Sequence, residues 1–270
     1  LRLRLRLRLR LRLRLRLRLG MALRRVALLA LLAAPAAPLA TPRPNANNAF
    51  MSRVVAWFKT SDMVRRKHAE HVEGDAPQHL MKGSPLAGAP DSLKLKFIDS
   101  AAGKWIEEFM RAERAEAGDW KTAMVIEAAG DDFDPAAARR EVDAMLDSAD
   151  IVVFSFTDCP WCVAARTLLR EELTAMGEPQ PSLRVIELDE LPGAQGKRVR
   201  AVLATTTGRT SMPNVFVGGR SLGGFTDGDP EGELAAPGVN PGLRTLKAEG
   251  RLADVLRPTL TPEPQSQTQP

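Results

Sequence analysis

The apolar run IVVFSF (151–156) passes through Thr157-Asp158 straight into Cys159-Pro160-Trp161-Cys162 and a helical segment that stops at Gly177. A continuous apolar run of this length reads as a strand buried on both faces. Pro160 suits the first turn of a helix, and Gly177 the position just past its end. The only two cysteines in 270 residues therefore stand where a buried strand meets a helix start. Such a junction carries backbone N–H groups with no partner inside the helix.

Three uses of the pair compete. Zinc would need two further ligands. His68, His71 and His79 are the available side chains, roughly ninety residues upstream in a different zone, where they read as solvated helix residues. A structural disulfide closing so short a loop removes little chain entropy. Redox exchange fits better. Orphan N–H groups and the helix dipole favour Cys159 as thiolate, the nucleophilic form. Cys162, less than a turn on, can close a strained ring onto it. Pro160 stiffens the intervening loop.

The surrounding segments complete a β-α-β-α-β-β-α order over 151–257, preceded by a helix at 134–150, so that the α/β pattern covers 134–257. LRVIELD (183–189) reads as a strand and GKRVRAVLATTTG (196–208) as a helix ending at Gly208. NVFVGGRSLGG (214–224) is a hairpin turning at Gly218-Gly219, and GLRTLKAEGRLADVL (242–256) is a closing helix. Pro213, between Met212 and a strand, sits where a cis bond in a tight turn would be found. The tail from 258 to 270 is Pro/Gln-rich and disordered by composition.

Upstream, Phe97, Ala101, Trp105, Phe109 and Ala112 recur at spacings of three and four, which predicts one amphipathic helix across 91–120, capped by Asp91 or Ser92. Residues 50–90 read as a short helix and a long Gly/Pro-rich loop. Together 50–133 form a mostly helical extension that either packs on the α/β domain or docks it on a partner.

The net charge of +5 comes from the tract at 1–20, where Leu and Arg alternate through residue 19; 38 basic residues less its nine arginines leaves 29 against 33 acidic, a net of −4. The body of the chain thus makes no case for binding nucleic acid. The tract is low-complexity and reads as an artefact of the assigned start, with Met21 as the true one. MALRRVALLALLAAPAAPLATP then has the layout of a signal peptide, too short for a membrane span. The acid-poor RPNANNAFMSR that follows suggests a two-part plastid address over 21–49; the secretory pathway and the cytoplasm are the alternatives.

VVFSFTDCPWCVAARTLL, VIELDE, TGRTSMPNVFVGG and LGGFTDG, in this order, resemble the dithiol glutaredoxins over about residues 136–257. The resemblance implies a thioredoxin-like fold, an α/β four-stranded mixed sheet flanked by helices. It implies glutathione-dependent reduction of protein disulfides and glutathione mixed disulfides, a part in cell redox homeostasis and the response to oxidative stress, glutathione as cosubstrate, and no metal. Partners would be glutathione, glutathionylated or disulfide-containing proteins and, indirectly, glutathione reductase. Cys159 matches the nucleophile, Cys162 the resolving cysteine, and Pro213 the cis-proline. Met212 would pair its backbone with the cysteine of glutathione. Gly223, Gly224 and Thr226 would hold the γ-glutamyl carboxylate, Asp227 its amine, and Arg200 the glycine carboxylate, unless Arg200 is simply exposed. Two alternatives remain: a thioredoxin-type reductase, which lacks a use for the glutathione loop, and an iron–sulfur carrier, which Pro160 disfavours by removing an N–H.

Two departures bear on chemistry. Phe156 stands where the family often has Lys, and Asp158 directly precedes Cys159. Both should raise the Cys159 pKa above the family norm, against the helix dipole and Arg166. The insertion over 227–241 is a surface loop by default, or else a lid.

Overall fold

The computed structural model describes residues 44–77, 84–177, 180–227 and 242–257. The Leu-Arg tract, most of the presequence, His79, the 228–241 insertion and the Pro/Gln-rich tail lie outside the described residues.

Ile151–Ser155 forms β1, buried along its whole length. It pairs in parallel with β2 (Leu183–Glu187) and antiparallel with β3 (Asn214–Val217), which in turn pairs antiparallel with β4 (Arg220–Gly223). The sheet order is β2-β1-β3-β4. Side chains alternate across β1. Val152 and Phe154 face one layer, with α5 (Pro135–Leu146) and α7 (Gln195–Thr207). Ile151 and Val153 face the other, with α6 (Pro160–Met176), α8 (Leu243–Ala248) and α9 (Leu252–Leu256). Phe154 and Phe216 meet edge to face at 5.6 Å beneath the first layer. The expected strands, the Gly218-Gly219 turn, and the ends of α6 at Gly177 and α7 at Gly208 are all present.

The extension differs from expectation. Residues 50–77 hold two helices, α1 (Pro44–Thr60) and α2 (Asp62–Glu73), with the Ser61 hydroxyl capping α2. α1 begins inside the segment read as presequence. The single helix expected across 91–120 is two: α3 (Asp91–Asp99), preceded by Pro90 rather than capped by Asp91 or Ser92, and α4 (Ala101–Glu127). Ser100 makes the break; its hydroxyl accepts from the Gly103 N–H at 3.1 Å. A Cβ on Gly103 would lie 2.3 Å from the Phe97 carbonyl oxygen, so only glycine lets the two helices turn this tightly. The apolar stripe is divided accordingly. Ile98 joins the sheet-facing core, while Phe109 packs against Phe58 of α1 at 5.1 Å and stacks on Trp105. The closing helix is likewise broken, at Gly250, whose φ of 69° suits glycine.

His68 and His71 are not solvated. His71 is buried, and His68 Nε2 lies 2.9 Å from a Glu127 carboxylate oxygen. The cause is the packing of α2 over the domain, where Lys197 donates to the Val72 carbonyl at 3.0 Å.

Candidate active site

The cysteine loop is shaped by backbone bonds. Thr157 donates its N–H and its hydroxyl to Asp189, at 3.1 and 2.7 Å, tying the loop to the end of β2. Cys159 donates its N–H to Phe156 and occupies the N-cap of α6, with Pro160 next. Its thiol points at the Met212 carbonyl oxygen, 3.8 Å away, and the Met212–Pro213 bond is cis. The Cys162 sulfur accepts the Phe156 N–H at 3.4 Å, behind Cys159 and fully buried.

The two thiols are pushed in opposite directions. The hydrogen bond from the Cys162 thiol, helped by the Cys162 and Trp161 N–H groups and the charge of Arg166, holds Cys159 below its ordinary value, although burial opposes this. Burial drives Cys162 well up, and proximity to Cys159 adds to it. Cys159 thus lies below the ordinary thiol value, the direction in which the helix start and Arg166 were expected to act. Phe156 contributes no charge but packs in the core under the Arg200 guanidinium, 5.5 Å from its ring centre. Asp158 does not stand alone: Lys94 of α3 binds its carboxylate at 2.7 Å.

Asp227 lies in a cage of guanidinium groups. Arg209 grips it with two nitrogens, at 2.8 and 3.1 Å, and Arg114 of α4 binds the same carboxylate at 3.0 Å. Burial works against ionisation, but Arg209 and then Arg114 outweigh it, and the carboxyl is held below the usual range. A Cβ on Gly224 would come within 2.2 Å of an Arg209 nitrogen, so a side chain there would push the guanidinium off its seat on Asp227. Arg200 is buried rather than exposed. Its Nε donates to the Thr210 carbonyl at 2.9 Å, and burial pushes its pKa down to about 10 against the opposing charge of Glu113.

Cys159, Arg200, Met212, Pro213, Thr226 and Asp227 line one cavity of about 310 Å³. Cys162, Gly223 and Gly224 sit behind its wall rather than on it. The far side is made by α1, α2 and α4, with His68 and His71 among the lining residues. Among the described residues no three His, Cys, Asp or Glu side chains are grouped to hold a metal ion. Sequence reasoning missed Lys94, Glu107, Arg114 and Arg209. Arg209 alone had a signal, its place in the RTSMP loop.

The family model described as Glutaredoxin matches residues 151–222. "Glutaredoxin-C2" of Arabidopsis thaliana is 34% identical over 87 residues, covering 32% of this chain and 70% of that protein. "Glutaredoxin" of Ricinus communis is 36% identical over 87 residues, covering 32% and 76%. The chain belongs to the glutaredoxin family. As a glutaredoxin it is a thiol–disulfide oxidoreductase, and its four-stranded mixed sheet with flanking helices is the thioredoxin-like fold that the motifs led one to expect. A third relative, "Glutaredoxin-C5, chloroplastic" of Arabidopsis thaliana, is 42% identical over 77 residues, covering 28% of this chain and 40% of that one. The matched family region begins at Ile151, so α1–α5 of this glutaredoxin lie outside it.

Proposed function

We propose that this glutaredoxin reduces disulfides at the expense of glutathione, with Cys159 as nucleophile and Cys162 as resolving thiol. The observation that carries the reading is the opposed shift of two adjacent thiols at a helix start, the lowered one facing a cavity.

The Cys159 thiolate attacks the glutathionyl sulfur of a mixed disulfide. The old S–S bond breaks, the other thiol leaves as thiolate and takes a proton from solvent, and glutathione stays on Cys159. A second glutathione thiolate then attacks that sulfur. Oxidised glutathione departs and Cys159 returns as thiolate. When the disulfide is not glutathionylated, Cys162 gives up its proton and displaces the product from Cys159, forming the Cys159–Cys162 disulfide, which two glutathiones reduce. The raised pKa of Cys162 suits it to this second place, because it stays protonated until Cys159 is consumed.

In the bound state Met212 would offer its backbone groups to the glutathione cysteine, next to the cis Pro213. Thr226 would hold the γ-glutamyl carboxylate over the turn that Gly223 and Gly224 shape behind the wall, Asp227 the amine, and Arg200 the glycine carboxylate. The acid-poor presequence and the likeness to a chloroplastic relative together favour a plastid location.

The test is trapping. Cys162→Ser protein, treated with oxidised glutathione, should gain one glutathionyl group, mapped by mass spectrometry to Cys159. An unmodified Cys159 under conditions that modify free cysteine would refute the assignment.

A further inference from the structure

The extension meets the cysteine loop and the loop that carries Asp227. At the cysteine loop, Lys94 binds Asp158 at 2.7 Å, and Phe97 lies edge-on to Trp161 at 6.1 Å. Glu107 of α4 accepts the Trp161 indole N–H at 2.8 Å and is held in turn by both terminal nitrogens of Arg244, at 3.0 and 3.1 Å. At the loop after β4 Arg114 binds Asp227 at 3.0 Å. The result is a nucleophile that is only 6% exposed at the base of a walled cavity.

We propose that α4, with α3 anchoring the extension to the cysteine loop, selects the substrate by size, reserving Cys159 for low-molecular-weight disulfides and refusing disulfides carried on folded proteins. The inference rests on the exchange chemistry proposed above and narrows its substrate class. Attack on a disulfide needs the thiolate in line with the S–S bond, so the target sulfur must reach the base of the cavity. A volume of about 310 Å³ is that of a small-molecule site. A folded surface is convex on this scale and stops at the rim formed by α4 and Trp161. The wall lies within the chain itself and is tied by charged contacts 64, 54, 137 and 113 residues apart in sequence. Arg114 adds a second level of selection. It occupies the carboxylate of Asp227 that the proposed glutathione amine would take, so a small substrate must bring its own cation to replace it.

The test compares full-length wild type with full-length Lys94→Met/Glu107→Gln/Arg114→Met. Turnover is measured on the mixed disulfide of glutathione with cysteine and on glutathionylated serum albumin, both coupled to glutathione reductase. Wild type should favour the small disulfide by about 100-fold or more in kcat/KM, and the triple variant should lose at least about tenfold of that preference through a gain on albumin. Alkylation of wild-type Cys159 gives a readout independent of any variant: iodoacetamide should react, and maleimide tethered to a protein-sized polymer should not.

Equal alkylation by both reagents, or comparable turnover of both substrates by wild type, overturns the proposal. So does a preference unchanged in a folded triple variant. If neither protein turns over the small disulfide while alkylation stays size-selective, the exchange reading is what fails, taking the disulfide selectivity with it.

Discussion

Replacing Lys94 with methionine would remove the ammonium that binds the Asp158 carboxylate beside Cys159. The Lys94 ammonium is almost fully buried, 5% exposed, and Asp158 is 31% exposed at 2.7 Å. At an effective dielectric of about 20 their gross attraction is about 6 kcal/mol, most of it offset by desolvation of the lysine. Because Asp158 can turn to water, the net loss of stability should fall below that of a fully buried pair, at about 2 kcal/mol. The larger consequence is chemical. At the same dielectric, a unit charge within about 12 Å of a thiolate shifts its pKa by about one unit or more. Adjacent residues lie inside that range, and solvent around the released carboxylate reduces the effect. Lys94→Met should therefore raise the Cys159 pKa, and Lys94→Met/Asp158→Asn should bring it most of the way back. The assay is thiolate ultraviolet absorbance against pH, in the Cys162→Ser background so that one thiol titrates. A Cys159 pKa unchanged or lowered by Lys94→Met would refute the neutralisation argument.

Three further outcomes follow from the geometry. Asp227→Asn removes the carboxylate that grips the Arg209 guanidinium, 2% exposed, and should cost about 3 kcal/mol by denaturant unfolding as well as raising the KM for glutathione. The pH dependence has a defined sign: Asp227 is depressed in the folded state, so its stabilisation is present above the ordinary carboxylate value near about 3.9 and is lost as pH falls through the folded value. The acid limb of a stability–pH curve should be shallower in Asp227→Asn than in wild type. Gly103→Ala forces a Cβ to within 2.3 Å of the Phe97 carbonyl and should destabilise the extension by about 2–3 kcal/mol, seen as earlier proteolysis of α3–α4 than in wild type.

What the sequence made legible was local. The apolar run of β1, Pro160 at the start of α6, Gly177 and Gly208 at helix ends, and Gly218-Gly219 in the hairpin all act through their immediate neighbours, so their residue types suffice. The breaks at Ser100 and Gly250 were hidden because the apolar spacing continues across them. Phe97 and Phe109 keep helical register while packing in different cores. Lys94, Glu107 and Arg114 looked like ordinary charges on a solvated helix face, since nothing near them in sequence announces partners as distant as Asp158, Arg244 and Asp227. The charge balance beside Cys159 was hidden for that same reason: Asp158 is adjacent in sequence and Lys94 is not. His71 was misjudged because burial of α2 depends on α7, more than a hundred residues on.

The central claim is that Cys159 performs the exchange and Cys162 only resolves. Glutathione-coupled turnover of a glutathione mixed disulfide by wild type, Cys159→Ser and Cys162→Ser tests it most directly. The account predicts no turnover above background in Cys159→Ser and retained turnover in Cys162→Ser. Activity surviving in Cys159→Ser, or lost in a folded Cys162→Ser, would contradict it.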